Sequence, residues 1–270
     1  MFGGDVHVVW EKFCRYFDVE PRIVPLQPGK YTIGPDDVEP HIDENTIGVA
    51  AVLGTTFTGH KDDVVGINNL LLQIKSERGL DVPLHVDGAS GGFVWPFLYP
   101  HSEWDFRLEQ VRSINVSGHK FGLVYPGIGW LIFREKADLA EDLVFEENYL
   151  GKTDATFTLN FSTGSAMVLA QYYNFVRYGR AGYAYIMKNM QQNASVLAEK
   201  LAVDGPLRVD RPRRESSFRS SRSSSPTTTT STSSTSPGSC RPNAAGWCRR
   251  TRFRPTPKTS RSCARWSRRL

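Results

Sequence analysis

The stretch "LHVDGASGGF" (residues 84–93) changes character at its fourth residue. Its first half is a short apolar run of the strand type, and its second half is almost wholly small residues. A buried strand that runs into a loop at the edge of a parallel sheet reads this way. Neighbouring stretches repeat the theme. "TIGVAAVLGTTFTG" (46–59) is a buried strand ending in small and hydroxyl residues, and "VRSINVSGHK" (111–120) is another that ends on a lysine. Between the first two lies "GINNLLLQIKSERG" (66–79), a helix stopped by Gly79. "VHVVWEKFCRYF" (6–17) spaces Trp10, Phe13 and Phe17 as a helix does, and "GIGWLIFRE" (127–135) is a fourth strand. "SAMVLAQYYNFVRYG" (165–179) and "YIMKNMQQNASVLAEKLA" (185–202) are helices, and the aromatics of the former are expected in the core. Strand, helix, strand at these intervals predicts an α/β fold with a mostly parallel sheet. Chemistry in such sheets collects at the carboxyl ends of the strands. Residues 55–58, 87–92 and 117–120 all fall there.

Composition divides the chain in two. From residue 208 onward there are 16 Lys and Arg against 2 Asp and Glu, whereas 1–207 holds 17 basic and 26 acidic residues. The formal charge of +5 therefore belongs to the tail, and it gives no reason to expect a nucleic-acid partner for the acidic body. Of the 21 residues in 216–236, 17 are Ser or Thr, with no hydrophobic period. Such a segment buries too little apolar surface to offset its ordering entropy, so 206–270 is expected to be a disordered basic tail beside a folded core at 1–205. Cys14 is the one cysteine of the body, and no cysteine spacing matches a disulfide framework or a zinc site, so no metal is expected. No apolar run is long enough to span a bilayer, and the N-terminal residues lack the pattern of a signal peptide. A reducing, cytoplasmic setting without a membrane partner is the expectation.

The three strand ends bring an aspartate, a lysine beside a histidine, and several hydroxyls to one edge. A lysine desolvated at a strand end can form a Schiff base with an aldehyde. Pyridoxal 5'-phosphate is such an aldehyde, and its pyridine ring needs a carboxylate to keep the ring nitrogen protonated. Asp87 is placed for that role, and Lys120 follows 33 residues later, enough for one crossover. Each group also has a plainer reading. Asp87 can cap a loop, Lys120 can pair with an acid, and His119 can be a satisfied core histidine.

"LHVDGASGGFVWPFLYP", "WDFRLEQVRSINVSGHKFGL" and "DENTIGVAAVLGTTFTG", in this order of specificity, resemble the pyridoxal-phosphate-dependent group II decarboxylases, and within them the glutamate decarboxylases of bacteria and plants. The resemblance covers residues 1 to about 205 and implies the large domain of fold type I, in partial form. It implies that Lys120 is the Schiff-base lysine, that Asp87 partners the ring nitrogen, and that His119 contacts the cofactor. Ser117 would lie near the phosphate, Thr56 would touch the cofactor, and Ser162 would reach a phosphate bound in a neighbouring subunit. Thr56 and Ser162 can equally serve to satisfy backbone groups. His7 falls where the family stacks a side chain on the ring, or is a packed helix-face residue. Glutamate decarboxylases of this type carry Gln there and aromatic-amino-acid decarboxylases His, so aromatic-amino-acid decarboxylation stays open as an alternative. Gly88 replaces an alanine whose methyl packs on the ring. The implied reaction converts L-glutamate to 4-aminobutyrate and carbon dioxide in a homodimer or higher oligomer. A third reading is a non-catalytic fragment that pairs with a complete subunit.

The resemblance begins inside the family's pattern, without its N-terminal segment or its phosphate-cradling loop. Such a cradle works through backbone N–H groups at a helix start, and weak cofactor retention is the expectation. The tail has an out-of-frame reading. Reverse translation of "NAAGWCRRTR" (243–252), started one base earlier, permits "ERGWVVPAYT". That peptide resembles a segment of the family's C-terminal domain, and a slip of the frame near Val209 is expected.

Overall fold

Strand alternation organises the molecule. A computed structural model describes residues 1–149, 151–156, 158, 160, 164–204, 208–209 and 223–224. The described body belongs to one compact unit, Met1–Pro226, and the second unit, Thr227–Leu270, lies outside the described residues. In chain order the body runs β1 (Phe2–Gly3), α1 (Val9–Tyr16), β2 (Ile23–Val24), α2 (Pro35–Val38), β3 (Val49–Val52) and α3 (Val64–Arg78). It continues with β4 (Leu84–Asp87), α4 (Trp95–Leu98), β5 (Val111–Ser117), β6 (Gly129–Phe133), β7 (Phe145–Tyr149), β8 (Lys152–Thr156) and α5 (Ala166–Asp204).

Six strands form one sheet in the order β2-β1-β3-β4-β5-β6, with every pair parallel except β5 with β6. That exception has a geometric cause. A parallel return needs a crossover of about a dozen residues or more, usually with a helix. The segment 118–128 is shorter than that and carries no helix, so it returns the chain antiparallel. The strands β7 and β8 pair separately as an antiparallel two-stranded sheet. Within the stretch expected to be disordered, β9 (Arg208–Val209) and β10 (Ser223–Ser224) pair antiparallel. The rest of that tail lies outside the described residues.

Leu84 and Val86 of β4, and Ile114 and Val116 of β5, point to one face of the sheet. There they meet Ile67, Leu71 and Ile74 of α3 together with Trp95 and Tyr183 in the main core. Burial of each such aliphatic side chain is worth about 1.5–3 kcal/mol. The helix α3 begins where the Asp63 carboxylate accepts from Gly66 N and ends at Gly79, whose φ of +68° suits glycine. The opposite face is covered by α1 through a small cluster of Phe2, Cys14 and Ala50. Period-two alternation puts His85 and Asp87 of β4 on this second face, with Ser113, Asn115 and Ser117 of β5 opposite.

The helix α5 is broken at Gly179, whose φ is +55°, close to the break expected from the sequence. One expectation for it holds only in part. Tyr172 and Tyr173 are 64% and 62% exposed, and Leu169 and Val176 line up with them along the helix. The other two aromatics, Phe175 and Tyr178, do pack against core residues Phe93 and Tyr183, and the most deeply buried residue of the segment is Gln171, at 0% exposure. Its role is polar: the side chain bonds to a backbone carbonyl of the turn after Lys120.

Candidate active site

Asp87 ends β4, and its next five residues fold back against the neighbouring strands. Leu53 N donates to Asp87 O, Gly91 N donates to Leu53 O, and Ser117 N donates to Ala89 O. These bonds join the ends of β3, β4 and β5 at the carboxyl edge of the sheet. The double glycine is dictated by close approach. A Cβ on Gly91 would lie 2.4 Å from Leu53 O, and one on Gly92 would lie 2.5 Å from a Val116 methyl. A Cβ on Gly88 would meet Asn115 O at 3.0 Å. A methyl there would press on the β5 backbone, which would have to give by a few tenths of an ångström.

Asp87 is only 5% exposed. Its Oδ1 accepts from Asn115 Nδ2 at 3.0 Å and Ala89 N at 3.1 Å, and its Oδ2 accepts from Trp10 Nε1 at 2.9 Å. All three donors are neutral. None of the ion pairs among the described residues involves Asp87. A buried carboxylate with hydrogen bonds but no cation is a costly arrangement, and a cationic partner would offset the cost.

Lys120 is half-buried, on the turn that follows β5, and its Nζ donates to Ser90 Oγ at 3.2 Å. The amine thus reaches the same loop that starts at Asp87. The turn is held from behind. Gln171 Nε2 and Tyr183 Oη both donate to Gly122 O, at 2.9 and 3.0 Å, and Asn174 Nδ2 donates to Leu123 O at 2.9 Å. Gln171 Nε2 also donates to Tyr183 Oη. Burial pushes the Tyr183 phenol up from its ordinary pKa, so it remains a donor.

The loop after β3 is set by an aspartate far away in sequence. Asp5, buried, accepts from Phe57 N and Thr58 Oγ, each at 3.0 Å. Thr58 Oγ in turn accepts from Thr55 Oγ at 2.8 Å, and Thr55 Oγ accepts from His60 N. This chain of bonds fixes the backbone on both sides of Thr56, which is half-buried at the strand end.

The structure therefore brings Asp87, Ser117, Lys120 and Thr56 to one edge of the sheet. His119 precedes Lys120 on the same turn and is exposed. His7 is exposed just ahead of α1, and its Nδ1 accepts from Val9 N. Ser162 lies outside the described residues. Ser90, Trp10, Asn115 and Asp5 were not singled out by the sequence. Alternation along "SINVS" could have flagged Asn115, because it shares a face with Ser117; nothing local could have flagged Trp10 or Asp5.

Comparisons with known proteins agree with this geometry. The model of the pyridoxal-dependent decarboxylase conserved domain matches residues 1–213. A glutamate decarboxylase of Petunia hybrida is 54% identical over 207 residues, which cover 77% of this chain and 41% of that protein. The glutamate decarboxylase of Lactococcus lactis is 45% identical over 209 residues, 77% of this chain and 45% of that protein. Among solved structures, a glutamate decarboxylase of Lactobacillus brevis superposes with a TM-score of 0.73 at 40% identity, over 77% of this chain and 47% of its own. The chain thus spans less than half the length of these relatives. Among the described residues no helix is long and apolar enough to cross a membrane. With the family model matching more than three quarters of its residues, and with a buried aspartate and a lysine at adjoining strand ends, the chain belongs to the pyridoxal-dependent decarboxylase family.

Proposed function

We propose that this chain carries the lysine and the ring-nitrogen carboxylate of an enzyme that decarboxylates L-glutamate to 4-aminobutyrate and carbon dioxide with pyridoxal 5'-phosphate. The observation that carries the reading is the pairing of Asp87 with Lys120. Asp87 is buried with neutral donors alone, and it stands one loop away from the half-buried amine of Lys120. That residue set fits the cofactor: the carboxylate would accept a hydrogen bond from a pyridinium nitrogen and keep it protonated, and the amine can condense with an aldehyde. When bound, the cofactor supplies the electron sink for the pair left at Cα as carbon dioxide departs.

The chain's own groups do the rest. Asp87, its orientation fixed by Trp10 and Asn115, would keep a proton at the ring nitrogen. Lys120 is the residue whose amine would hold the cofactor. Ser117 and Thr56 stand at the strand ends and would offer polar contacts to the cofactor, and His119, His7 and Ser162 are the further contacts that the family resemblance implies. Glutamate as substrate is supported by the relatives, which carry that name at 45–56% identity. A second copy of the chain is the proposed partner, supported by the exposed apolar stripe of Leu169, Tyr172, Tyr173 and Val176 on α5, and the setting is cytoplasmic.

Incubation with pyridoxal 5'-phosphate, borohydride reduction and peptide mapping test the reading. A pyridoxyl group on Lys120, with release of 4-aminobutyrate from glutamate and no tyramine from tyrosine, is expected. Absence of the adduct overturns the site, and tyramine overturns the substrate.

A further inference from the structure

Four side chains on the polar face of β4 and β5 form one line: Ser113, His85, Asn115 and Asp87. The strand register sets His85 opposite Ser113 and Asp87 opposite Asn115. His85 Nδ1 lies 2.7 Å from Ser113 Oγ, and His85 Nε2 lies 2.7 Å from Asn115 Oδ1. Asn115 Nδ2 lies 3.0 Å from Asp87 Oδ1. Trp10 packs edge-on to the His85 ring, with centroids 5.3 Å apart, and closes the line by donating to Asp87 Oδ2.

The direction of every bond follows from one end. A carboxylate can only accept, so the Asn115 amide must turn its nitrogen to Asp87 and its oxygen to His85. His85 must then carry its proton on Nε2 in order to donate to that oxygen. This leaves Nδ1 of a neutral ring to accept from the Ser113 hydroxyl. Burial pushes the His85 imidazole below its ordinary pKa, which favours the neutral ring. The three bonds then run in one sense, each polarising the next toward the carboxylate.

We propose that Ser113, His85 and Asn115 are positioning residues for the cofactor, a neutral relay that fixes the Asn115 amide and through it the carboxylate of Asp87. The proposal rests on the reading of Asp87 given under Proposed function. His85 touches neither the substrate nor the cofactor in this scheme; it acts through Asn115. A neutral relay is what the site needs. A cation at His85 would compete with the pyridinium for the same carboxylate, and an apolar residue would leave Asn115 Oδ1 without its donor and the amide more weakly held.

The test uses the 270-residue chain with His85→Ala, His85→Gln and Ser113→Ala. In the unloaded chain, exchange of the Asn115 side-chain amide is followed in nitrogen-resolved NMR spectra. It is expected to quicken about tenfold in His85→Ala, the value of one lost hydrogen bond. Ser113→Ala should move it the same way by less, and that milder change serves if His85→Ala does not fold. His85→Gln, whose amide can donate to Asn115, should restore the slow exchange. In the loaded chain, the dissociation constant for pyridoxal 5'-phosphate should rise about tenfold in His85→Ala and recover in His85→Gln. Unchanged Asn115 exchange in both His85→Ala and Ser113→Ala overturns the relay, as does a His85→Gln chain no better than His85→Ala. Failure of the wild-type chain to take a pyridoxyl group on Lys120 would instead count against the cofactor reading, while the Asn115 measurement would still decide the relay.

Discussion

Two carboxylates lie at nearly the same depth, Asp62 at 2% exposure and Asp87 at 5%, but their partners differ in kind. Asp62 accepts from Ile33 N at 2.9 Å and Val52 N at 2.7 Å, both backbone donors, and so stitches β3 to the segment ahead of α2. Its enclosure pushes its pKa up to about 7, burial being the main cause, with the charges of Asp5 and Asp37 adding to it. Asp87 is held mainly by side chains, an indole and an amide, supplemented by one backbone N–H. Backbone donors come with the fold, whereas side-chain donors are supplied by particular residues. Asp62 is thus tied to the architecture, while the side-chain donors of Asp87 fit the ligand role proposed for it.

This contrast can be broken at four points. The largest effect belongs to Lys120→Ala, which should abolish borohydride trapping at that position while circular dichroism stays unchanged; trapping that persists at residue 120's peptide would end the assignment. Next, Asp87→Asn should raise the dissociation constant for pyridoxal 5'-phosphate by about 100-fold, because it removes one charge of a buried ion pair. An unchanged constant would place Asp87 with Asp62 as an architectural group.

Asp62 itself is tested by pH. Its folded pKa of about 7 exceeds the ordinary 3.8, so between those values the folded state holds the extra proton. Its contribution is therefore complete below the unfolded value and is lost as pH rises toward 7. Unfolding free energy should fall by up to about 1.4 kcal/mol per pH unit across that window, and Asp62→Asn should flatten the slope. A slope that survives in Asp62→Asn assigns it to another group. The smallest effect is that of Trp10→Phe, which leaves Asp87 one donor short and should cost about 1 kcal/mol in denaturant unfolding.

Much of this architecture was legible in the sequence because it is local. "LHVD" and "INVS" alternate, so one set of residues had to be apolar and inward and the other polar and across the sheet. The strand ends carrying Asp87 and Lys120 followed from that, and the helix stop at Gly79 was legible from the glycine itself. What stayed hidden is long-range. The Trp10 bond to Asp87 spans 77 residues, and the bonds of Asp5 to Phe57 and Thr58 span 52 and 53; no periodicity announces such partners. Along 172–178 the aromatic run suggested core, yet only Phe175 and Tyr178 pack inward while Tyr172 and Tyr173 face out, a division that hydropathy alone does not encode. The strand β6 was legible but its antiparallel direction was not, since strand patterns report burial and not direction.

The antiparallel turn from β5 into β6 also has a kinetic consequence. Loops that close over few residues cost less chain entropy than those that close over many, and hairpins form in microseconds. Lys120 sits inside such a hairpin, whereas the carboxylate of Asp87 depends on an indole 77 residues earlier in the chain. During folding the lysine turn therefore reaches its shape before the carboxylate acquires its full set of donors. In pulse-labelled exchange, amides of 113–117 and 129–133 should gain protection ahead of the Trp10 indole, and the reverse order would show that distant contacts nucleate this part of the molecule.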